Sequence, residues 1–203
     1  MADADARLDA DQAAIAAAHS LFERQHAASR AARVPSLAER RDRLDRLKAL
    51  LAGNVEVFTR AISADFGVRS RVETEMLEIL PTLNAIRHAR KQLPKWMKPE
   101  RRRVDPSMQP AKAWVRWEPL GVIGIISPWN YPLQLALSPM VDAIAAGNRV
   151  MVKPSELTPH FSELLQQQVA QHFDDTEAAV VTGGVAVGEA FASLPFDHLL
   201  FTG

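Results

Sequence analysis

The 203-residue chain contains no cysteine. A disulfide framework is excluded, and so is any chemistry that draws a thiolate from these residues. Net charge is lacking too: 24 basic and 24 acidic side chains cancel, so no global field steers the chain to nucleic acid or an anionic membrane. No run of 18 apolar residues occurs, which leaves no candidate for a membrane-spanning helix. The opening MADADARLDADQ is acidic and lacks the charged-then-apolar order of a signal peptide. The expected compartment is the cytoplasm. G-x-S-x-G, G-x-x-x-x-G-K-[ST] and G-x-G-x-x-G are all missing, and the six histidines (His19, His26, His88, His160, His172, His198) show no spacing such as H-E-x-x-H. Neither a serine nucleophile nor a metal site is expected. The length suffices for one good core or two small domains.

What is present is concentrated between Pro119 and Glu156. Val122-Ile123-Gly124-Ile125-Ile126 is an apolar, β-branched run too short for a core helix, and it predicts a buried strand that Ser127 and Pro128 end. Pro132 suits the first turn of a helix, which needs no N–H there. Leu133 to Ala146 is apolar on nearly every side, so the helix should pack on two faces, and Pro139 should bend it or shift its start. Gly147-Asn148 stops it. A second apolar strand, Val150-Met151-Val152, ends at Lys153-Pro154-Ser155-Glu156. Polar residues thus gather at the carboxyl ends of two successive strands, where open α/β sheets bind ligands.

Upstream, Leu8, Ile15, Ala18 and Phe22 follow a helical spacing that Pro35 ends. Ser36-Leu37-Ala38-Glu39 is a capping box ahead of Leu44, Leu47, Leu50 and Leu51, with Gly53 as the expected C-cap. A short helix carries Val55, Phe58 and Ile62. Ser70-Arg71-Val72-Glu73 predicts a second capping box before a stripe of Met76, Ile79, Leu80, Leu83 and Ile86, with Pro81 kinking that helix or displacing its boundary. The segment from 87 to 104 is basic, and Trp96 would suit nucleic acid. A solvated helix end followed by a loop fits better, because the rest of the chain balances the charge. AKAWVRW, from Ala111 to Trp117, alternates in period two and predicts an antiparallel strand outside the main sheet.

Downstream, Thr158-Pro159 predicts a capped helix with Leu164, Leu165, Val169 and Phe173 inward. A third strand over Ala178 to Val181 leads to Gly183-Gly184. A short helix with Val187, Ala190 and Phe191 precedes a fourth strand, His198 to Phe201. The order βαβαβαβ predicts a doubly wound parallel sheet in an α/β fold.

Single residues read two ways. By position Asn130 is a helix cap, or an amide donor to an oxygen that gains charge during reaction. Lys153 and Glu156 are solvent-facing loop charges, or contacts to an adenosine ribose. Gly184 and Gly203 are plain turns, or places where backbone approaches a ligand closely.

PWNYP, AAGNRVMVKPSELTP and FDHLLFTG together resemble the NAD(P)-dependent aldehyde dehydrogenases, in particular the class 3 branch that includes coniferyl aldehyde dehydrogenases. The resemblance covers essentially the whole chain and is specific from about Pro119 onward. It implies an N-terminal helical layer over 1–104, a bridging β element over 105–118 whose remaining strand comes from beyond this chain, and the first part of a Rossmann-like NAD(P)-binding domain over 119–203. It further implies Asn130 as the catalytic oxyanion donor, and Ser127, Pro128, Trp129, Lys153, Glu156, Gly184, Phe201 and Gly203 as contacts to the cofactor. NAD is favoured over NADP because a 2′-phosphate would meet the Glu156 carboxylate. The implied substrate is an aldehyde, aromatic such as coniferyl aldehyde or of medium chain length. The implied assembly is a homodimer of the full-length enzyme, with no nucleic-acid or membrane partner. A non-catalytic nucleotide-binding or interaction module is the alternative.

In the resembled family the attacking cysteine and the glutamate that activates water lie past the position of Gly203. The catalytic domain is then absent from this chain. On their own the 203 residues are expected to oxidise no aldehyde, and to behave poorly because the fourth strand is left uncovered.

Overall fold

The computed structural model describes residues 2–202, and side chains over 10–202. Gly203 and the Leu8 side chain lie outside the described part. The elements in chain order are α1 (Ala2–Ala31), α2 (Leu37–Gly53), α3 (Val55–Phe66), α4 (Arg71–Thr74), a π turn (Glu75–Ile79), α5 (Leu80–Trp96), β1 (Glu100–Arg102), a 3-10 turn (Pro106–Met108), β2 (Ala113–Val115), β3 (Val122–Ile126), α6 (Pro132–Ala146), β4 (Arg149–Lys153), α7 (Pro159–His172), β5 (Ala178–Val180), α8 (Val185–Ala192) and β6 (His198–Phe201).

The main sheet has the order β5-β4-β3-β6, every neighbouring pair parallel. The chain winds outward through three strands, then returns to add the fourth beside the first. That is the doubly wound arrangement, and its switch point falls between β3 and β6. Because strand side chains alternate, Ile123, Ile125, Val150 and Val152 face one layer, where they join Leu44, Leu47, Phe58, Ile86, Leu137 and Phe161 from α2, α3, α5, α6 and α7. Val122 and Met151 face the other, with Ala18, Leu21 and Phe22 of α1 and Val187 and Phe191 of α8. Each fully buried leucine or phenylalanine in these layers contributes about 1.5–3 kcal/mol. The helices before residue 97 therefore divide between the two faces. α1 alone among them covers the α8 side.

The Ser36 box forms: Glu39 N–H donates to Ser36 Oγ (3.2 Å), and Ser36 N–H donates to the Glu39 carboxylate (2.7 Å). α6 runs unbroken through Pro139 to Gly147, whose φ of 93° is the left-handed cap that a residue with Cβ resists.

Several local expectations are corrected. Ser70 makes no side-chain cap, because Glu73 turns to Arg69 instead (3.4 Å). The expected stripe is broken: Met76 and Leu80 are exposed while Ile79 and Ile86 are buried. Pro81 has no N–H to give its preceding turn, and the backbone adapts as a π turn in which Leu80 N–H reaches Glu75 O. Glu78, one α-helical turn before the buried Thr82, faces inward, and Met76 does not. Gly53 stays helical, and Asn54 caps α2. The loop after α5 contains β1, which pairs with β2 in antiparallel register, Arg101 opposite Trp114; the first partner of that strand is local.

Thr158 occupies the N-cap of α7 without a side-chain cap. Asp65, from the end of α3, accepts from His160 N–H (3.0 Å) and Phe161 N–H (2.9 Å) in its place. Asp65→Ala is expected to destabilise the α3–α7 contact by about 1 kcal/mol, with Asp65→Asn recovering part of the loss. Thermal unfolding of the complete protein carrying each variant checks this.

Candidate active site

The carboxyl ends of β3, β4 and β6 open into one groove of about 440 Å³. Strand β3 delivers Ser127, Pro128 and Trp129 to it, and β4 delivers Lys153 and Glu156. Gly184 comes from the turn after β5, and Phe201 from the last residue of β6. Seven of the eight residues expected at a cofactor are thus together, and Gly203 lies outside the described residues. The pairing of β3 with β4 reaches the groove itself, because Ser127 N–H donates to Lys153 O (3.1 Å).

The groove contains polar groups the protein leaves available. Ser127 is buried, and its Oγ has no hydrogen-bond partner among the described residues. Such an orphan usually marks a missing ligand or water. Lys153 is 3% exposed. Its ammonium donates to Pro154 O (2.9 Å) and lies 3.7 Å from Glu156 Oε2, an ion pair too long for a hydrogen bond. Burial pushes the Lys153 ammonium below the ordinary lysine range, with Glu156 opposing. Gly184 has an ordinary φ of −75°, and a Cβ there would meet nothing nearer than Asp11 Oδ2 at 3.9 Å, so the fold does not demand glycine at this position. Phe201 and Trp129 are large, exposed aromatics at the rim, and Trp129 packs on Phe66 with ring centroids 6.0 Å apart.

Asn130 is exposed and does not line this groove. It stands one residue before the N-cap of α6, which is Tyr131. Its Oδ1 accepts from Tyr131 N–H (3.0 Å), which leaves Nδ2 without a partner among the described residues. Its carbonyl accepts from Arg69 Nη1 (2.6 Å).

Arg69 and Glu78 carry no motif, and nothing in the sequence singled them out. Glu78 is 0% exposed. Its Oε2 accepts from Leu133 N–H (2.8 Å) and Gln134 N–H (3.2 Å), two free donors of the first turn of α6. Its Oε1 lies 3.3 Å from Arg69 Nη2. The guanidinium is itself sandwiched between the rings of Phe66 and Tyr131, 4.8 Å from each centroid. Val185, Gly188 and Ala192 of α8 also line the groove. Gly188 alone left a trace in the sequence, as a glycine inside a helix with open space where a Cβ would sit.

Among the described residues no group of His, Asp and Glu could hold a metal, and no helix is long and apolar enough to cross a membrane.

Residues 2–203 match the description "Aldehyde dehydrogenase family". The chain belongs to that family. It is 48% identical over 198 residues to a Pseudomonas aeruginosa protein named "Probable coniferyl aldehyde dehydrogenase", covering 98% of this chain and 42% of that protein. It is 47% identical over 169 residues to the coniferyl aldehyde dehydrogenase of a Pseudomonas species, covering 83% of this chain and 34% of that one. Among solved structures, Staphylococcus aureus AldH in a substrate-bound state superposes with a TM-score of 0.85 at 31% identity, covering 89% of this chain and 39% of that chain. An indole-3-acetaldehyde dehydrogenase of P. syringae, in complex with NAD+ and IAA, superposes at 0.78 with 25% identity, covering 93% and 38%. The chain therefore spans about two fifths of the length of the relatives it matches.

Burial raises the Glu78 carboxyl above its ordinary value, against Arg69 and the two α6 amides, which lower it. A raised folded value means the native state holds this proton more tightly than the unfolded chain. The associated stability is full below about pH 4.5 and is lost as pH rises through the folded value. Glu78→Gln removes that loss. The thermal midpoint of the Glu78→Gln protein minus that of wild type should therefore climb between pH 4 and pH 7, about where carboxylates ionise. A difference that stays flat would mean Arg69 fully compensates the buried charge.

Proposed function

We propose that the chain is the N-terminal part of an aldehyde dehydrogenase that oxidises an aldehyde to the carboxylic acid with NAD(P)+. The observation that carries this is the groove at the strand ends, where an unpartnered Ser127 Oγ and a buried Lys153 ammonium stand beside Glu156 and an open Gly184. Those donors and that acceptor suit the hydroxyls of an adenosine ribose, and the small apolar side made by Val185, Gly188 and Ala192 suits a flat base. The dinucleotide, when bound, supplies the hydride acceptor. Ser127, Pro128, Trp129, Lys153, Glu156, Gly184, Phe201 and Gly203 hold it. NAD is the preferred form, since Glu156 repels a 2′-phosphate and the neighbouring Lys153 only partly offsets that.

Asn130 acts as the oxyanion donor. Its side-chain carbonyl is engaged by Tyr131 N–H, so the amide N–H groups are left to meet an oxygen that gains charge when a thiolate from the rest of the protein attacks the aldehyde. The named relatives favour an aromatic aldehyde of the coniferyl type. The complete protein works in the cytoplasm as a homodimer. The competing non-catalytic nucleotide-binding module would bind NAD+ and have no turnover for Asn130 to affect.

In the complete protein, Asn130→Ala is expected to lower kcat by about 3 kcal/mol of lost transition-state stabilisation, roughly a hundredfold, with NAD+ affinity little changed. Unchanged turnover with weaker NAD+ binding would make Asn130 a structural cap. Glu156→Gln should weaken NAD+ and narrow the gap between NAD+ and NADP+. The ratio of kcat/KM for the two cofactors reads this directly, and a ratio that does not move would make Glu156 a solvent-facing charge.

A further inference from the structure

Two buried charges sit behind Asn130, and neither touches the groove. Arg69, its side chain 4% exposed, donates to the Asn130 carbonyl at 2.6 Å. Glu78 accepts from Leu133 and Gln134, three and four residues further on, and lies 3.3 Å from the same guanidinium. Between these anchors run Tyr131 and Pro132, where strand-to-helix loop becomes α6, and the Tyr131 ring lies against the guanidinium face. The loop backbone is thus held at its carbonyl and at the two amides that follow.

The same pair is poorly satisfied as a purely structural device. Arg69 Nε and Nη2 and Glu78 Oε1 are buried without a hydrogen-bond partner among the described residues. Buried ion pairs with unmet donors add little stability compared with apolar residues of the same volume. What this pair supplies is position. Asn130 has an exposed side chain on a loop, and without the clamp, among the described residues, only its own contact to Tyr131 N–H would fix where Nδ2 points.

We propose that Arg69 and Glu78 are positioning residues for aldehyde oxidation, clamping the Asn130 backbone to the start of α6 so that its side-chain amide is held where the substrate oxygen gains charge. This rests on the oxyanion role proposed above for Asn130. A displacement of about 1 Å at such a donor is enough to cost up to a hundredfold in rate.

The test compares four forms of the complete protein with wild type. They are Asn130→Ala, the charge-neutral pair Arg69→Met with Glu78→Gln, Arg69→Lys, and the neutral pair combined with Asn130→Ala. The neutral pair strands no buried charge. It is expected to lower kcat at least about tenfold while KM for NAD+ stays within about twofold. Placed on Asn130→Ala, the same pair should lower kcat by less than about a further twofold, because the group it positions is already gone. A neutral pair whose kcat stays near wild type, while Asn130→Ala loses turnover, overturns the clamp and leaves the oxyanion role standing. So does a full loss repeated on the Asn130→Ala background, or kcat and KM shifting together. Asn130→Ala with wild-type kcat overturns the oxyanion role and the clamp with it. Should the neutral pair fail to fold, Arg69→Lys decides: it keeps the charge but not the planar fork, and the same split of kcat from KM is expected, with wild-type kcat overturning the clamp.

Discussion

The Glu78 carboxylate at the first turn of α6 is the contact on which this structure turns. Two amide donors that no helix can satisfy internally end on one oxygen, and the other oxygen faces a guanidinium buried between two rings. Removing one partner of such a buried pair costs about 3–5 kcal/mol, because the remaining charge is left in an apolar surround. The contact also ties three distant pieces together: the turn after α3, the π turn before α5, and the loop from β3 into α6. The π turn is part of the same device. Glu78 lies within it, fully buried, while Met76 two residues earlier is exposed.

From that fixed point the groove follows. α6 is packed on nearly every side and cannot shift without disturbing α2, α5 and the sheet. β3 enters it and β4 leaves it in strict parallel register, Ile126 opposite Lys153. The polar residues after β3 and after β4 therefore meet at one level. The return of β6 to the far side of β3 closes the groove with Phe201. Groove-lining groups are then carried on short segments between rigid elements, which is the arrangement that preserves geometry at a site.

Most of the doubly wound sheet was legible because its strands are apolar runs bounded by proline and glycine, and its helices show clear periodicity. The groove residues were legible mainly through the resemblance of PWNYP, VKPSE and FDHLLFTG; by spacing alone Lys153 and Glu156, and Asn130 beside the groove, read more readily as two loop charges and a cap. What stayed hidden has one physical cause. Arg69, Glu78 and Asp65 act across the fold, on backbone groups 55 to 96 residues away, and a lone charge in a polar stretch carries no sign of a distant helix terminus. Ser70 and Thr158 misled for the converse reason: each has the local form of a cap, and a remote side chain or competing ion pair took the role. β1 was missed because three residues of charge, Glu100 to Arg102, have no apolar alternation.

The placement of α1 has a consequence for how the chain is made. This helix covers the sheet face it shares with α8, and its side chains reach partners 150 residues or more downstream, Arg24 to Asp175 and Arg30 to Asp197. During synthesis it emerges well ahead of those partners and has no surface to dock on until β3, β4 and α8 have left the ribosome. The α2–α5 and α5–α6 contacts on the opposite face need shorter loops to close and can form earlier. A segment with Leu21 and Phe22 uncovered must therefore wait until those partners have been made. Its alanine-rich make-up suits that interval, since it offers a stable local helix with little exposed apolar surface until its late partner arrives.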